Sequence, residues 1–264
     1  APMTHFGSHA DGLISDQERT FLGNRAGDIG LFISAATLVQ EGGKAFRGQP
    51  EATGENCLDS LKETAQLIQK QGAKAILQIH HGGSQAMVEL NHRDKISASA
   101  SEKDGAREAS AAEVEELIAS FAQAADLALR AGFDGVELHA ANGYLPQQFL
   151  SDSANLRTDE YGGSIENKAR FTLEVMHALI DAVGGDKVGI KISPLHPYAG
   201  IAFDDPIETY TYLINELNKL DFAFVELMKR GPTFPLLPHY PVDDEIERFG
   251  KLVKQTLIAG TAYT

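Results

Sequence analysis

An imidazole, a carboxamide and a phenol follow one another closely in His139-Ala140-Ala141-Asn142-Gly143-Tyr144. The run Gly135-Val136-Glu137-Leu138 ahead of them reads as a buried strand, so all three polar groups leave one strand end. An imidazole and a carboxamide can donate two hydrogen bonds to a carbonyl oxygen, and a nearby phenol can supply a proton. Two more polar residues interrupt apolar strands: Gln78 in Leu77-Gln78-Ile79 and Lys191 in Gly189-Ile190-Lys191-Ile192. Burying either is costly without partners, so the amide needs an internal hydrogen bond or a ligand. The ammonium needs a carboxylate or an electron-rich ligand. Taken singly, each residue also has an ordinary reading: a satisfied histidine, a packing tyrosine, a structural ion pair. His80, His81 and His139 with Asp204 or Asp205 could be assembled into a metal site, but no spacing is diagnostic. His80 and His81 also point to opposite faces of a strand, so no metal is expected. His196 and His239 sit in proline-rich loops, where solvent exposure and substrate gating are both open.

The elements that must position these groups alternate along the chain. Ile29–Ser34, Ala75–Ile79, Gly135–Leu138, Val188–Ile192, Phe222–Leu227 and Thr256–Ala259 read as strands. Between them lie helical stretches. One carries Leu58, Leu61, Ala65 and Ile68 and ends near Gly72; another is headed by the capping-box pair Ser110 and Glu113 and ends at Gly132. A third runs from Ser164 to Gly184, a fourth from Tyr210 to Leu220, and a last from Glu245 to Lys254. Strictly alternating strands and helices imply a parallel sheet covered by helices. Counting Ala1–Thr4 as a first strand gives seven strands in a single domain over residues 1–264. A doubly wound sheet is the alternative to a barrel. The barrel is favoured because Thr4, Gln78, His139 and Lys191 fall at the C-terminal ends of different strands, and no Gly-x-Gly-x-x-Gly turn is present.

The 264 residues are enough for one α/β barrel, and 43% apolar with 23% charged residues is ordinary for a globular protein. The net charge of −14 argues against nucleic-acid and anionic-membrane partners, which require a basic face. With Cys57 as the single cysteine, neither an intrachain disulfide nor a thiolate-rich cluster can form, which suits a reducing, cytoplasmic setting. The chain lacks an initiator Met, and Thr256–Thr261 resembles a strand and the loop after it, so both ends read as truncated.

Downstream of Tyr144 comes Arg157-Thr158-Asp159-Glu160-Tyr161-Gly162-Gly163-Ser164, with Asn167, Arg170 and Phe171 beyond. Together with the His139–Leu150 stretch, this segment resembles the Old Yellow Enzyme family of FMN-dependent ene-reductases. The resemblance implies an eight-stranded (β/α)8 TIM barrel, here incomplete with about seven strands. It implies FMN as cofactor, with NADPH or NADH as reductant and a small activated alkene as substrate. On the family pattern, Pro2, Met3 and Thr4 line the flavin and Ala36 lets it lie against a strand. Gln78 binds its pyrimidine edge, Lys191 stands beside N1, and Gly260 and Thr261 hold the phosphate. His139 and Asn142 bind the substrate oxygen, and Tyr144 protonates the α-carbon. Arg157, Asp159, Tyr161 and Asn167 are expected to be scaffold. The family often has Arg where this chain has Ser84. A related flavin barrel acting on dienoyl thioesters or amines, or an inactive fragment, are the alternatives. Whether the protein is a homo-oligomer is open.

Overall fold

The structure, a computed structural model, describes residues 2–261. Its strands are β1 (Leu31–Ile33), β2 (Thr37–Leu38), β3 (Lys74–His80), β4 (Ile96–Ser97), β5 (Arg107–Glu108), β6 (Gly135–Ala140), β7 (Val188–Ile192), β8 (Phe224–Met228) and β9 (Thr256–Gly260). The helices are α1 (Asp16–Gly23), α2 (Leu58–Gln69), α3 (Ala111–Arg130), α4 (Leu145–Leu150), α5 (Ile165–Val183), α6 (Pro206–Leu217) and α7 (Glu245–Phe249).

Seven strands form one parallel sheet in the order β1-β3-β6-β7-β8-β9, with β2 also paired to β3, while β4 and β5 pair apart from it. Sheet neighbours follow chain order throughout. A doubly wound sheet would reverse direction at a switch point, and none occurs among the described strands. The succession is that of a (β/α) barrel, here incomplete.

The expected first strand is not formed: Ala1 lies outside the described residues, and residues 2–4 belong to no strand. Pro2 has no N–H to offer a ladder. The seventh strand is β2 instead. Leu31 faces Lys74 and Thr37 faces Ile79, so β1 and β2 follow β3 with one extra residue bulged out between them. They are one barrel position in two pieces.

Side-chain alternation divides each strand between two environments. Ala75, Leu77 and Ile79, then Val136, Leu138 and Ala140, then Val188, Ile190 and Ile192, then Val225 and Leu227, all join the hydrophobic core beneath the helices. The opposite face carries Gln78, His80, Glu137, His139, Lys191 and Glu226, every one of them buried. The apolar core therefore lies between sheet and helices, and the barrel interior holds these polar groups, with Ile76 and Phe224 buried on the same face.

The long helices are bounded by local chemistry. Ser110 and Glu113 form the reciprocal capping box of α3. Gly132 (φ +96°) ends it in a Schellman motif: Phe133 N–H donates to Ala128 and Gly132 N–H to Leu129. Helix α6 begins before the expected Tyr210 because the Asp205 carboxylate caps Ile207 and Glu208 and Pro206 opens the first turn. At the other end it stops at Leu217, short of Leu220. Helix α7 gives way to a 3-10 turn at Gly250–Leu252 instead of reaching Lys254. Among the described residues no helix is long and apolar enough to cross a membrane.

Candidate active site

Strand β6 delivers His139, and the chain turns immediately after it. Tyr144 N–H donates to Ala141 C=O at 3.3 Å, and both residues between them have positive φ, Asn142 at 55° and Gly143 at 75°. Asn-Gly is the pair that such a turn favours, since asparagine tolerates the left-handed region and glycine has no Cβ to clash. Space also demands Gly143: a Cβ there would sit 2.7 Å from Ala199 Cβ and 2.8 Å from Tyr198 O. Ser193 Oγ, at the end of β7, accepts from Asn142 N–H at 3.0 Å. Gln147 then ties α4 to the same point, accepting from Gly143 N–H and donating to Ser193 O and Tyr210 Oη. Gln148 accepts from Ser84 N–H and Ser97 Oγ and donates to Gly82 O and Gly143 O. Two glutamines in Leu145–Leu150 thus lock the turn from both sides.

A cavity of about 290 Å³ opens at this strand end. His139, Asn142 and Tyr144 line it with Pro2, Met3, Thr4, Ala36, Gln78, Lys191 and Thr261. Of the residues that the resemblance assigns to flavin or substrate, Gly260 alone stands outside the lining; it is buried in β9 with its Cα toward Glu226. Phe6, Phe46 and Met228 complete the cavity.

Aromatic rings hold Tyr144. Its ring centroid is 4.4 Å from that of His80, 5.1 Å from His139 and 6.0 Å from Phe46, each edge to face. His80 is anchored in turn by Gln49, whose Nε2 is 3.0 Å from its Nδ1. Burial, with smaller contributions from His80 and Lys191, holds the His139 imidazole well below the usual histidine range, so it is neutral near pH 7. Burial raises the Tyr144 phenol, with Tyr198 adding to it, so Tyr144 keeps its proton. His139 Nδ1 and Asn142 Oδ1 are buried without a hydrogen-bond partner among the described residues, an arrangement that invites a ligand. The buried His196 meets Phe234 edge to face at 4.3 Å, and burial brings its imidazole down to about 4; His239 is exposed and meets Phe203 O.

Gln78 and Lys191 satisfy both readings given to them: each lines the cavity and each has an internal partner. Gln78 Nε2 donates to Glu137 Oε1 at 2.7 Å, and Lys191 Nζ lies 2.9 Å from Glu226 Oε1. Neither glutamate was singled out from sequence, although a carboxylate inside an apolar strand is the same signal that marked Gln78 and Lys191.

The segment after α4 is scaffold. Arg157 is buried, donates to the carbonyls of Ala98 and Ala109, and forks onto Asp159. Asp159 accepts from Tyr161 N–H, and Asn167 donates to Gly162 O. No cluster of three metal-binding side chains occurs among the described residues.

This arrangement has known counterparts. Residues 1–259 match the family model for the NADH:flavin oxidoreductase / NADH oxidase family. A probable NADH-dependent flavin oxidoreductase, YqiG, from Bacillus subtilis (strain 168) is 40% identical over 240 residues, covering 86% of this chain and 63% of that protein. A probable flavin mononucleotide-dependent alkene reductase from Leishmania infantum is 36% identical over 226 residues, covering 78% of this chain and 62% of the relative. The chain thus spans a little under two thirds of the length of these relatives. Among solved structures, the old yellow enzyme homologue from Zymomonas mobilis superposes with a TM-score of 0.92 at 28% identity, covering all of this chain and 77% of that one. Morphinone reductase gives 0.91 at 29% identity, covering all of this chain and 75% of its own. A family match over nearly the whole chain, joined to the same fold, places this protein in the NADH:flavin oxidoreductase / NADH oxidase family.

Proposed function

We propose that the protein is an FMN-dependent oxidoreductase that uses NADH or NADPH to reduce the carbon–carbon double bond of an α,β-unsaturated carbonyl or nitro compound. The carrying observation is that His139, Asn142 and Tyr144 line one cavity with Gln78 and Lys191, and that His139 presents a buried ring nitrogen lacking a protein partner among the described residues.

The cavity chemistry suits a flavin ring. Pro2, Met3, Ala36 and Met228 offer apolar contact to a planar group. Gln78 and Lys191 offer an amide and an ammonium to its electron-rich pyrimidine edge, and no carboxylate lines the cavity among the described residues. Thr4 and Thr261 would add hydroxyl contacts, and the backbone at Gly260 and Thr261 is assigned to the phosphate. When bound, FMN reduced by the nicotinamide supplies the hydride that reaches the β-carbon.

The protein groups do the rest. His139, neutral and carrying one N–H, and the Asn142 amide hold the substrate oxygen and stabilise the negative charge that gathers on it. Tyr144 Oη gives its proton to the α-carbon. A phenol that keeps its proton in the resting site is suited to act as the acid. Phe46 and Met228 exclude water from the reacting carbons.

Visible absorption of the chain after loading with FMN and removing the unbound excess tests this reading. A retained flavin band that bleaches anaerobically with NADH or NADPH, and returns on adding 2-cyclohexenone or a nitroalkene, supports it. A protein that stays colourless, or a reduced one that no activated alkene reoxidises, overturns it.

A further inference from the structure

The barrel interior contains a charged cluster that the proposed chemistry does not use. Glu137 precedes His139 by two residues on the same strand face, one layer nearer the strand's N-terminal end. Lys191 pairs in register with His139 on one side and with Glu226 on the other. The Lys191 and Glu226 side chains are 3% and 0% exposed, and Glu137 is equally buried. Glu137 takes one hydrogen bond, from Gln78. Its other oxygen and both oxygens of Glu226 receive none from the described residues, since the ammonium approaches Glu226 closely but off the hydrogen-bond line. Gly260 makes the room, because a Cβ there would lie 2.8 Å from Glu226 Oε1.

Two carboxylates and one ammonium, all buried, leave an excess negative charge that this interior cannot solvate. One carboxyl must hold a proton. Burial first, and the neighbouring Glu226 charge second, drive the Glu137 carboxyl well above its ordinary range. A proton held on Glu137 would supply one of the donors that these buried oxygens otherwise lack.

We propose that Glu226 is a positioning residue for Lys191: it anchors the ammonium, offsets part of its charge, and so sets the reduction potential of the flavin that Lys191 faces. The inference rests on the flavin reading above. Lysine needs such an anchor more than arginine does, because its flexible stem is not pre-organised. An ammonium paired with an anion stabilises a negatively charged reduced ring less than an unpaired one.

Anaerobic titration of the FMN-loaded chain against reference dyes reads the effect as a midpoint potential. Glu226→Gln should move it upward. The double variant Glu137→Gln/Glu226→Gln should move it further, because Glu137 can then no longer ionise to replace the lost anion. Glu137→Gln alone, replacing a neutral group with a neutral group, should leave it where it was. Glu226→Asp, which keeps the charge but retracts it, should give a smaller upward shift and serves if the glutamine variant does not fold. Infrared spectra of the cofactor-free chain at pH 7 give a reading independent of loading: a protonated-carboxyl band that Glu137→Gln removes. Retained FMN with unchanged or lowered potentials in the Glu226 variants overturns the positioning role and leaves the flavin reading standing, as does absence of the carboxyl band. Failure of the parent chain to retain FMN overturns both.

Discussion

Replacing Tyr144 by Phe removes one proton and little else, because the ring still meets His80, His139 and Phe46 edge to face. If the phenol is the acid, Tyr144→Phe slows alkene reduction about 10²- to 10⁴-fold and leaves reduction of the bound flavin by NADH or NADPH unchanged. Stopped-flow measurement of the two half-reactions separates these, and equal loss in both would remove Tyr144 from its role. If His139 holds the substrate oxygen, His139→Ala deletes a donor to the developing anion, so the affinity for a phenolate, which mimics the enolate, should fall about tenfold or more. Equilibrium titration of the flavin band with a substituted phenol reads it, and unchanged affinity would sink the assignment. At this scale the sequence was legible wherever polar chemistry broke an apolar run, which is how Gln78 and Lys191 announced themselves. Glu137 and Glu226 break their strands in the same way, yet their meaning depends on sharing one interior with Lys191. Register across three strands decides that, and no single stretch of chain contains it.

Elements built from local signals differ from those built by their surroundings. Helix α3 could be read from its capping box, its apolar stripe and Gly132. By contrast β2 is two residues long, and α4 is a six-residue helix tied down by the side chains of Gln147 and Gln148. Neither has a periodic signal, since tertiary contacts make them. Arg157 is the strongest such contact, joining the loop after α4 to the carbonyls of Ala98 and Ala109 on either side of the β4–β5 pair. Arg157→Met should orphan both carbonyls and leave Asp159 without its cation, lowering the unfolding free energy in urea by about 3 kcal/mol. Ser110→Ala, which removes only the exposed cap of α3, should cost about 1 kcal/mol. Equal costs for the two would mean that the Arg157 loop is not a staple of the fold.

Across the whole molecule, the polar barrel interior controls how stability responds to acid. Burial holds His80 and His81 down to about 3 and His196 to about 4, and keeps His139 well below the ordinary range. Each is neutral when folded but takes a proton on unfolding once the pH drops below the ordinary histidine value of about 6.5, so all four destabilise the fold as pH falls. Two acids oppose them. Burial lifts Glu245 to about 7 and Glu137 well above its usual value, so both hold protons in the fold that the unfolded chain releases above about 4.5. At pH 6.5 the half-protonated histidines of the unfolded chain roughly balance the two acids, and by pH 5 they outweigh them by roughly two protons, a slope that grows to on the order of 2–3 kcal/mol per pH unit. Glu113, brought to about 2 chiefly by Arg107, adds a further loss only below pH 4.5. The urea midpoint of the cofactor-free chain should therefore fall increasingly steeply from pH 6.5 to 5. His80→Gln, which keeps a neutral partner for Gln49, should make that fall shallower by about one proton. A flat profile over this range would mean that the buried histidines already exchange protons with solvent in the folded state, and the neutral His139 that the proposed substrate binding requires would have to be abandoned.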